Sequence, residues 1–121
     1  MTDASDAPRT TADARLLSPA AAAEPLEELP LAEGTVLAGA PRAGHRTLLD
    51  DGTAVGVWEL TTGTVTDVEV DEVFVVLAGA GSVTFADGSA VLLAPGVVVR
   101  LRAGDATTWV VTETVRKVYV A

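Results

Sequence analysis

Residues 72–101 read EVFVVLAGAGSVTFADGSAVLLAPGVVVRL, in which short apolar runs are separated by glycine, proline and aspartate. Asp87 and Gly88 stand between two of these runs. Asp-Gly at such a position is a strong hairpin signal, because glycine supplies the positive φ that tight turns require. Short runs bounded by turn residues are typical of antiparallel strands. The stretch therefore predicts several strands that fold back on one another.

The same pattern of short apolar runs separated by turn residues extends from Leu29 to Ala121, and no part of it has the periodicity of a helix. We predict ten strands, at 35–38, 46–49, 54–61, 65–70, 72–78, 81–85, 90–93, 97–101, 107–112 and 115–120. Tight connections are expected at 50–52, 62–63, 79–81, 87–88, 95–96 and 103–105. Strands at this spacing predict an all-β antiparallel sandwich or closed barrel rather than βαβ units.

Several predicted strands, such as Val73 to Leu77 and Val97 to Val99, are apolar at every position instead of alternating with polar residues. A barrel wall has one face inside and one outside, so apolar residues on the exterior require a cover. The cover is either another segment of the chain or a second subunit. We expect a homodimer.

With 121 residues the chain has room for one domain. Residues 1–25 are rich in alanine, aspartate, threonine and proline, and offer too little apolar area to offset the entropy of ordering. We predict a poorly structured N-terminal tail over 1–25, or alternatively a short helix that docks Leu16 and Leu17 on the barrel. Residues 26–121 are the predicted folded domain.

The net charge of −9 and the pI near 4.3 oppose binding to phosphate backbones and to anionic membrane surfaces. Nucleic acid and membranes are therefore not expected as partners. Cysteine is absent, which excludes disulfides and thiolate chemistry. The first residues lack the build of a signal peptide, and no apolar run approaches the ~20 residues of a spanning helix, so we expect a cytoplasmic protein.

The segment Glu72-Val-Phe-Val-Val-Leu-Ala-Gly79 resembles the first cupin motif, and Gly96-Val-Val-Val-Arg-Leu-Arg-Ala-Gly104 resembles the second. Further stretches look like the small cupin family named for (S)-ureidoglycine aminohydrolase, namely residues 26–30, 36–39, 56–59, 70–72, 108–109 and 115–119. The resemblance covers about residues 26–120. It implies a jelly roll, or double-stranded β-helix barrel, often a homodimer, with any ligand pocket inside the barrel.

The sequence departs from metal-binding cupins at the ligand positions. Where those proteins place two histidines before the glutamate, this chain has residues 64–70, TVTDVEV, and Thr107 stands where the second motif has its histidine. The single histidine, His45, is expected at a surface turn. Metal sites need several converging donors, so we predict neither a metal nor another cofactor.

Glu72 and Lys117 are the candidate catalytic residues. Glu72 shares a strand face with Phe74 and is expected inside the barrel, either as a general base or ligand anchor or in a structural ion pair with Lys117 or an arginine. The alternative for Lys117 is a position exposed to solvent near the end of the chain, without a catalytic role. The candidate ligand-binding residues are large or hydroxyl-bearing side chains that alternatively fill the core: Trp58, Phe74, Thr107, Trp109 and Tyr119.

Four carboxylates lie close together at Asp67, Glu69, Asp71 and Glu72. Oxygen ligands suit a hard cation, but alternate residues of a strand point to opposite faces, so we expect a solvated acidic edge instead. Arg100 and Arg102 are expected to project to solvent rather than to hold an anion.

Three functions follow from these features. We favour a small-molecule-binding cupin without a catalytic metal, its ligand inside the barrel. The alternatives are an enzyme acting on a ureide or a related small nitrogenous metabolite, and a structural or interaction module whose barrel is packed solid.

Overall fold

The computed structural model describes residues 15–121. One turn of 3₁₀ helix, Ala21–Ala23, precedes the strands. The strands are β1 (Glu27–Leu29), β2 (Val36–Gly39), β3 (Ala43–Asp50), β4 (Ala54–Leu60), β5 (Gly63–Val68), β6 (Glu72–Phe85), β7 (Ala90–Leu93), β8 (Val98–Leu101) and β9 (Ala106–Val120). In this part of the chain no helix is long and apolar enough to span a membrane. The first fourteen residues of the predicted tail lie outside the described residues.

All strand pairs are antiparallel and belong to one curled sheet. Its order is β1-β3-β4-β9-β5-β2, while β6 pairs with β9 along most of its length and with β7 and β8. The predicted hairpin at Asp87-Gly88 is confirmed: the amide of Phe85 donates to Ser89 O at 2.8 Å, and the Asp87 carboxylate accepts from the Ser89 amide at 2.9 Å. The all-β antiparallel barrel predicted from the sequence is confirmed.

Two of the predicted strand breaks are wrong. Residues 79–81 do not form a turn, since β6 runs unbroken from Glu72 to Phe85, and β9 likewise joins the two strands predicted at 107–112 and 115–120. The register between β6 and β9 shifts three times between Val111 and Lys117. Glycine in a strand marks a bend or close backbone approach as readily as a turn. Here the glycines let two long strands curl together around the barrel.

The interior is filled by alternate residues of these strands. On β6 Phe74 and Val76 are almost fully buried, and on β9 Trp109, Val111 and Val115 are too. The largest fully buried side chains are Val57, Leu60, Phe74, Val76, Val83, Leu101 and Val115. The period of two along β6 and β9 thus decides which side chains share the interior with Glu72 and Lys117.

The outer face of β9 is partly covered by the segment before β1. Arg116 donates from Nη1 to the carbonyl oxygens of Ala21 at 3.0 Å and Glu24 at 2.8 Å, and pairs with Glu59 at 3.0 Å. Elsewhere the exterior keeps exposed apolar side chains at Val73, Leu92, Val98 and Val120. The chain therefore supplies part of the cover that the apolar strands require, and the homodimer stays a prediction.

Gly79 tests the close contact between β6 and β9. Its φ is +100°, and a Cβ there would overlap Thr114 O and lie 2.6 Å from Val115 Cα. Gly52 has nearly the same φ, +102°, with nothing within 4 Å of a Cβ. Gly79→Ala should lower the free energy of unfolding by about 3 kcal/mol or more, and Gly52→Ala by about 1 kcal/mol, in urea denaturation. Equal losses would contradict the close approach.

Candidate functional site

A cavity of about 280 Å³ opens among β3, β4, β9 and the loop between β5 and β6. Its wall carries the aromatic side chains Trp58, Trp109 and Tyr119, the imidazole of His45, and four ionisable side chains, Asp67, Glu69, Glu72 and Lys117. A larger groove of about 530 Å³ lies against β5 and the ends of β6 and β9, but its one charged residue is the exposed Asp67. Convergent polar groups in an apolar wall mark a binding site better than volume does. The smaller cavity is the candidate site.

Lys117 and Glu72 meet inside the barrel. The Lys117 Nζ lies 2.5 Å from Glu72 Oε2, and the two side chains are only 5% and 10% exposed. Lys117 is on β9, opposite Trp58 of β4 and Val76 of β6, which places its amine at the centre of the wall. It is also the only lysine of the chain. The sequence left open whether Glu72 binds a ligand or forms a structural ion pair. In the structure Glu72 forms an ion pair with Lys117.

Four aromatic rings surround this amine, and we call Trp58, Phe74, Trp109 and Tyr119 the aromatic box. The Lys117 Nζ lies 4.4 Å from the ring centroid of Phe74, 4.7 Å from that of Trp58, 5.0 Å from that of Trp109 and 5.9 Å from that of Tyr119. The negative face of an aromatic ring attracts a cation at these distances, so the box stabilises a positive charge that is almost fully withdrawn from water. Four of the five predicted ligand-binding residues therefore enclose a side chain of the chain itself.

Glu69 is a buried carboxyl, contrary to the exposed position predicted from the sequence. It is 8% exposed, and its Oε2 accepts hydrogen bonds from Thr107 Oγ1 at 2.6 Å and Trp109 Nε1 at 3.1 Å. Burial raises its pKa, while these two hydrogen bonds oppose the shift. Thr107, a predicted ligand-binding residue, holds Glu69 and lines the larger groove rather than this cavity.

The expected solvated acidic edge is therefore confirmed for Asp67 and Asp71, which are exposed, and wrong for Glu69 and Glu72. The reason is the path of the loop between β5 and β6. The Glu69 amide donates to Asp105 O at 2.8 Å, and the Gly104 amide donates to Glu69 O at 2.9 Å. These bonds fasten the loop to the β8–β9 turn and direct the Glu69 side chain inward. The one available signal was its place in residues 64–70, where metal-binding cupins carry histidines.

His45 also lies at the cavity, so the prediction of a surface turn is wrong. It is a half-buried residue of β3 opposite Trp58. The strand begins at Ala43, three residues before the predicted start. Gly44 lies within this strand, although a glycine at this position is also typical of a turn. Arg100 and Arg102, by contrast, are exposed as predicted.

Tyr119 closes the site on the side of β4. It lies opposite Gly56, where a Cβ would come within 2.5 Å of the ring carbon Cζ, so glycine leaves room for the ring. Burial, together with the negative charge of Glu72, raises the pKa of Tyr119. The phenol therefore keeps its proton at neutral pH, and its hydroxyl lies beside Gly56 and Thr47.

The donor set does not fit the metal centre that the cupin motifs imply. Within residues 15–121 no group of three or more histidine, aspartate and glutamate side chains converges as ligands. Glu72, at the motif's ligand position, instead accepts from the ammonium of Lys117. The cation beside this glutamate is thus a side chain.

A curled antiparallel barrel with its polar site between the two long strands defines the class of protein: a cupin. Residues 48–119 match the EutQ-like cupin domain model, and the chain belongs to that family. No curated protein matches the sequence.

Solved structures share the fold at low identity. A protein of unknown function from Pseudomonas syringae pv. tomato superposes with a TM-score of 0.72 at 20% identity, over 81% of this chain and 44% of its own. The Clostridium difficile EutQ protein superposes with a TM-score of 0.59 at 19% identity, over 76% of this chain and 79% of its own. Ectoine synthase from P. lautus superposes with a TM-score of 0.55 at 20% identity, over 64% of this chain and 62% of its own. The chain thus spans less than half of the Pseudomonas protein, and these likenesses concern the fold.

Glu69 makes the stability of the protein dependent on pH. Because its pKa is raised above 4.5, the folded state retains its proton where the unfolded chain has lost it, so stability falls as pH rises from 4.5 through the raised value. Glu69→Gln is a neutral isostere of the protonated form. Relative to wild type, this variant should be more stable at neutral pH than below pH 4.5, measured by urea denaturation. A difference independent of pH would contradict a buried, proton-retaining Glu69.

The buried ion pair should respond differently to single and double substitution. Lys117→Met leaves the Glu72 carboxylate buried without its partner and should lower the free energy of unfolding by about 3–5 kcal/mol. Adding Glu72→Gln should restore part of the loss, since no uncompensated charge remains. Arg42→Met, which removes the exposed pair with Glu28, is the control and should stay within about 1 kcal/mol. Additive losses at Lys117 and Glu72 would refute their coupling.

Proposed function

We propose that this chain is a small-molecule-binding cupin domain whose ligand occupies the cavity beside Glu69, Glu72 and Lys117. The observation that carries the proposal is the burial of these three charged or ionisable groups in one cavity wall. Replacing a buried ion pair with well-packed apolar residues is often neutral or stabilising. A barrel packed solely for stability therefore has no need of them, which argues against a purely structural module.

The wall offers specific hydrogen-bonding positions to a ligand. In the described part of the chain, both hydrogen bonds of the Glu69 carboxyl go to Oε2, which leaves Oε1 for a ligand. The ring of Tyr119 and the imidazole of His45 lie in the same wall. Trp58 and Trp109 add flat apolar surface. These groups suit a compact molecule that combines polar atoms with an apolar face.

The charge of the wall favours a neutral ligand or one with N–H donors. Asp67, Glu69 and Glu72 supply three carboxyl groups, against the single ammonium of Lys117. A second anion near them would be repelled, whereas amide and amine N–H groups find acceptors. A volume of about 280 Å³ is at the lower end of ligand pockets and suits a small metabolite.

A ureide is the second candidate ligand, because the sequence resembles the ureidoglycine aminohydrolase type of cupin. Its planar N–H donors match the Glu69 Oε1 acceptor, and its carbonyl oxygen matches a donor such as the imidazole of His45. We place an enzyme acting on a ureide second to simple binding, since the donor set of the site does not fit a metal that would polarise the substrate.

A thermal-shift screen of small neutral and amine-bearing metabolites, with allantoin as the ureide, tests the binding function. A ligand at about 100 times its Kd adds ~2.7 kcal/mol of stability, which raises Tm by several degrees for a domain of this size. Glu69→Gln should weaken the shift, because it replaces a carboxyl acceptor with an amide. Glu113→Gln alters an exposed carboxylate outside the cavity and is the matched control. A screen without any shift, or shifts equal in both variants, would argue against this cavity.

A further inference from the structure

The choice of lysine at position 117 requires an explanation. Of the eight lysine and arginine residues in the chain, the other seven are arginines. The adjacent Arg116 makes the structural ion pair with Glu59 and fastens the segment before β1. Arginine stacks on aromatic rings and forms two-point ion pairs better than lysine does. What lysine alone offers is an amine that becomes a nucleophile when it gives up a proton, which arginine does not do in proteins.

The geometry meets the needs of such a nucleophile. The Lys117 amine is enclosed by the aromatic box, and the one acceptor bonded to it in the described part of the chain is Glu72 Oε2 at 2.5 Å. Glu72 is therefore placed to take a proton from the amine without any movement of the backbone. Both residues line the cavity, so a molecule bound there lies beside the ion pair. A positioned base next to an amine is the arrangement that activates covalent catalysis.

We propose that Lys117 condenses with the carbonyl carbon of a small neutral aldehyde held in the cavity, forming a protonated imine. The proposal rests on the proposed binding function, because the aldehyde must first enter the cavity. An aldehyde without a carboxylate is favoured over an oxo acid, since Asp67, Glu69 and Glu72 make the wall acidic. The condensation needs no oxidant, reductant or metal.

The protons of this step balance within the ion pair. Glu72 takes one proton from the ammonium, and the freed amine attacks the carbonyl carbon to form a C–N bond. A second proton passes from nitrogen to the carbonyl oxygen, giving the carbinolamine. Glu72 then returns its proton to that hydroxyl, which leaves as water while the nitrogen lone pair forms the C=N bond. The product carries one positive charge, as Lys117 did before, so Glu72 and the aromatic box stabilise it in the same way.

Reductive trapping with butanal tests the proposal. The protein and Nα-acetyllysine, a free reference amine, are treated together with butanal and cyanoborohydride, and the modified residue is located by peptide mass spectrometry. Since Lys117 is the only lysine, its adduct is unambiguous. We expect one butyl group on Lys117, formed at least about tenfold faster than on the reference amine, owing to the placed base. Trapping no faster than the reference, or absent, overturns the proposal.

Two variants sharpen this result. Glu72→Gln removes the proton acceptor but retains the shape of the side chain, and should slow trapping by roughly 100-fold. Lys117→Arg should give no adduct at this position. Circular dichroism checks that each variant is folded, and where Glu72→Gln is not, the comparison of wild type with the reference amine decides alone. Unchanged trapping in folded Glu72→Gln contradicts the role of the ion pair.

Butan-1-ol separates failure of the chemistry from failure of the binding site. It has the same carbon chain but no carbonyl, and the only two tryptophans, Trp58 and Trp109, line the cavity. A saturable change in tryptophan fluorescence with butan-1-ol, together with slower trapping of butanal, supports both proposals. Fluorescence change without trapping overturns the condensation and leaves the cavity as a binding site. If neither response is observed, the condensation is overturned, and the result also counts against the cavity as a binding site.

Discussion

The ion pair between Lys117 and Glu72 is the constraint on which the interior depends. Two charges that are almost fully withdrawn from water are tolerated only when each has a partner and the surroundings favour the charge. The partner strands β6 and β9 bring the carboxylate and the amine together, and the aromatic box supplies the surroundings. The two longest strands and the largest side chains are thus arranged around one ammonium group.

Much of the fold followed from local signals. Turn residues between apolar runs indicated the strands, and the period of two placed Glu72 with Phe74 inside the barrel. Strand continuity could not be predicted in the same way. Gly79 looks the same in a sequence whether the chain reverses there or bends, and the outcome is decided by the close approach of β9 at Thr114, a contact distant in sequence. The resemblance identified the cupin fold, while the family shown is the EutQ-like one.

The site was predictable to the extent that it lies on regular strands. Trp58, Glu72, Trp109, Lys117 and Tyr119 all line the cavity, and alternation along strands explains why. Glu69 was missed because it lies in a loop, where side-chain direction is set by hydrogen bonds to the β8–β9 turn and not by any period. His45 was missed through an error of three residues at a strand boundary, which moved it from a cavity wall to a turn. Both errors arise where tertiary contacts override local pattern.

An ammonium beside Glu72 changes what a cupin site is able to do. A metal ion with an open coordination position binds and polarises a ligand directly. An ammonium enclosed by four rings offers only hydrogen bonds and, after loss of a proton, a lone pair. Under the proposed function, recognition comes from Glu69, Tyr119 and the tryptophans, and covalent chemistry comes from the amine. The barrel and Glu72 are consistent with membership of the EutQ-like cupin family. The donor set around Glu72, however, does not support assigning to this chain a reaction that depends on a bound metal.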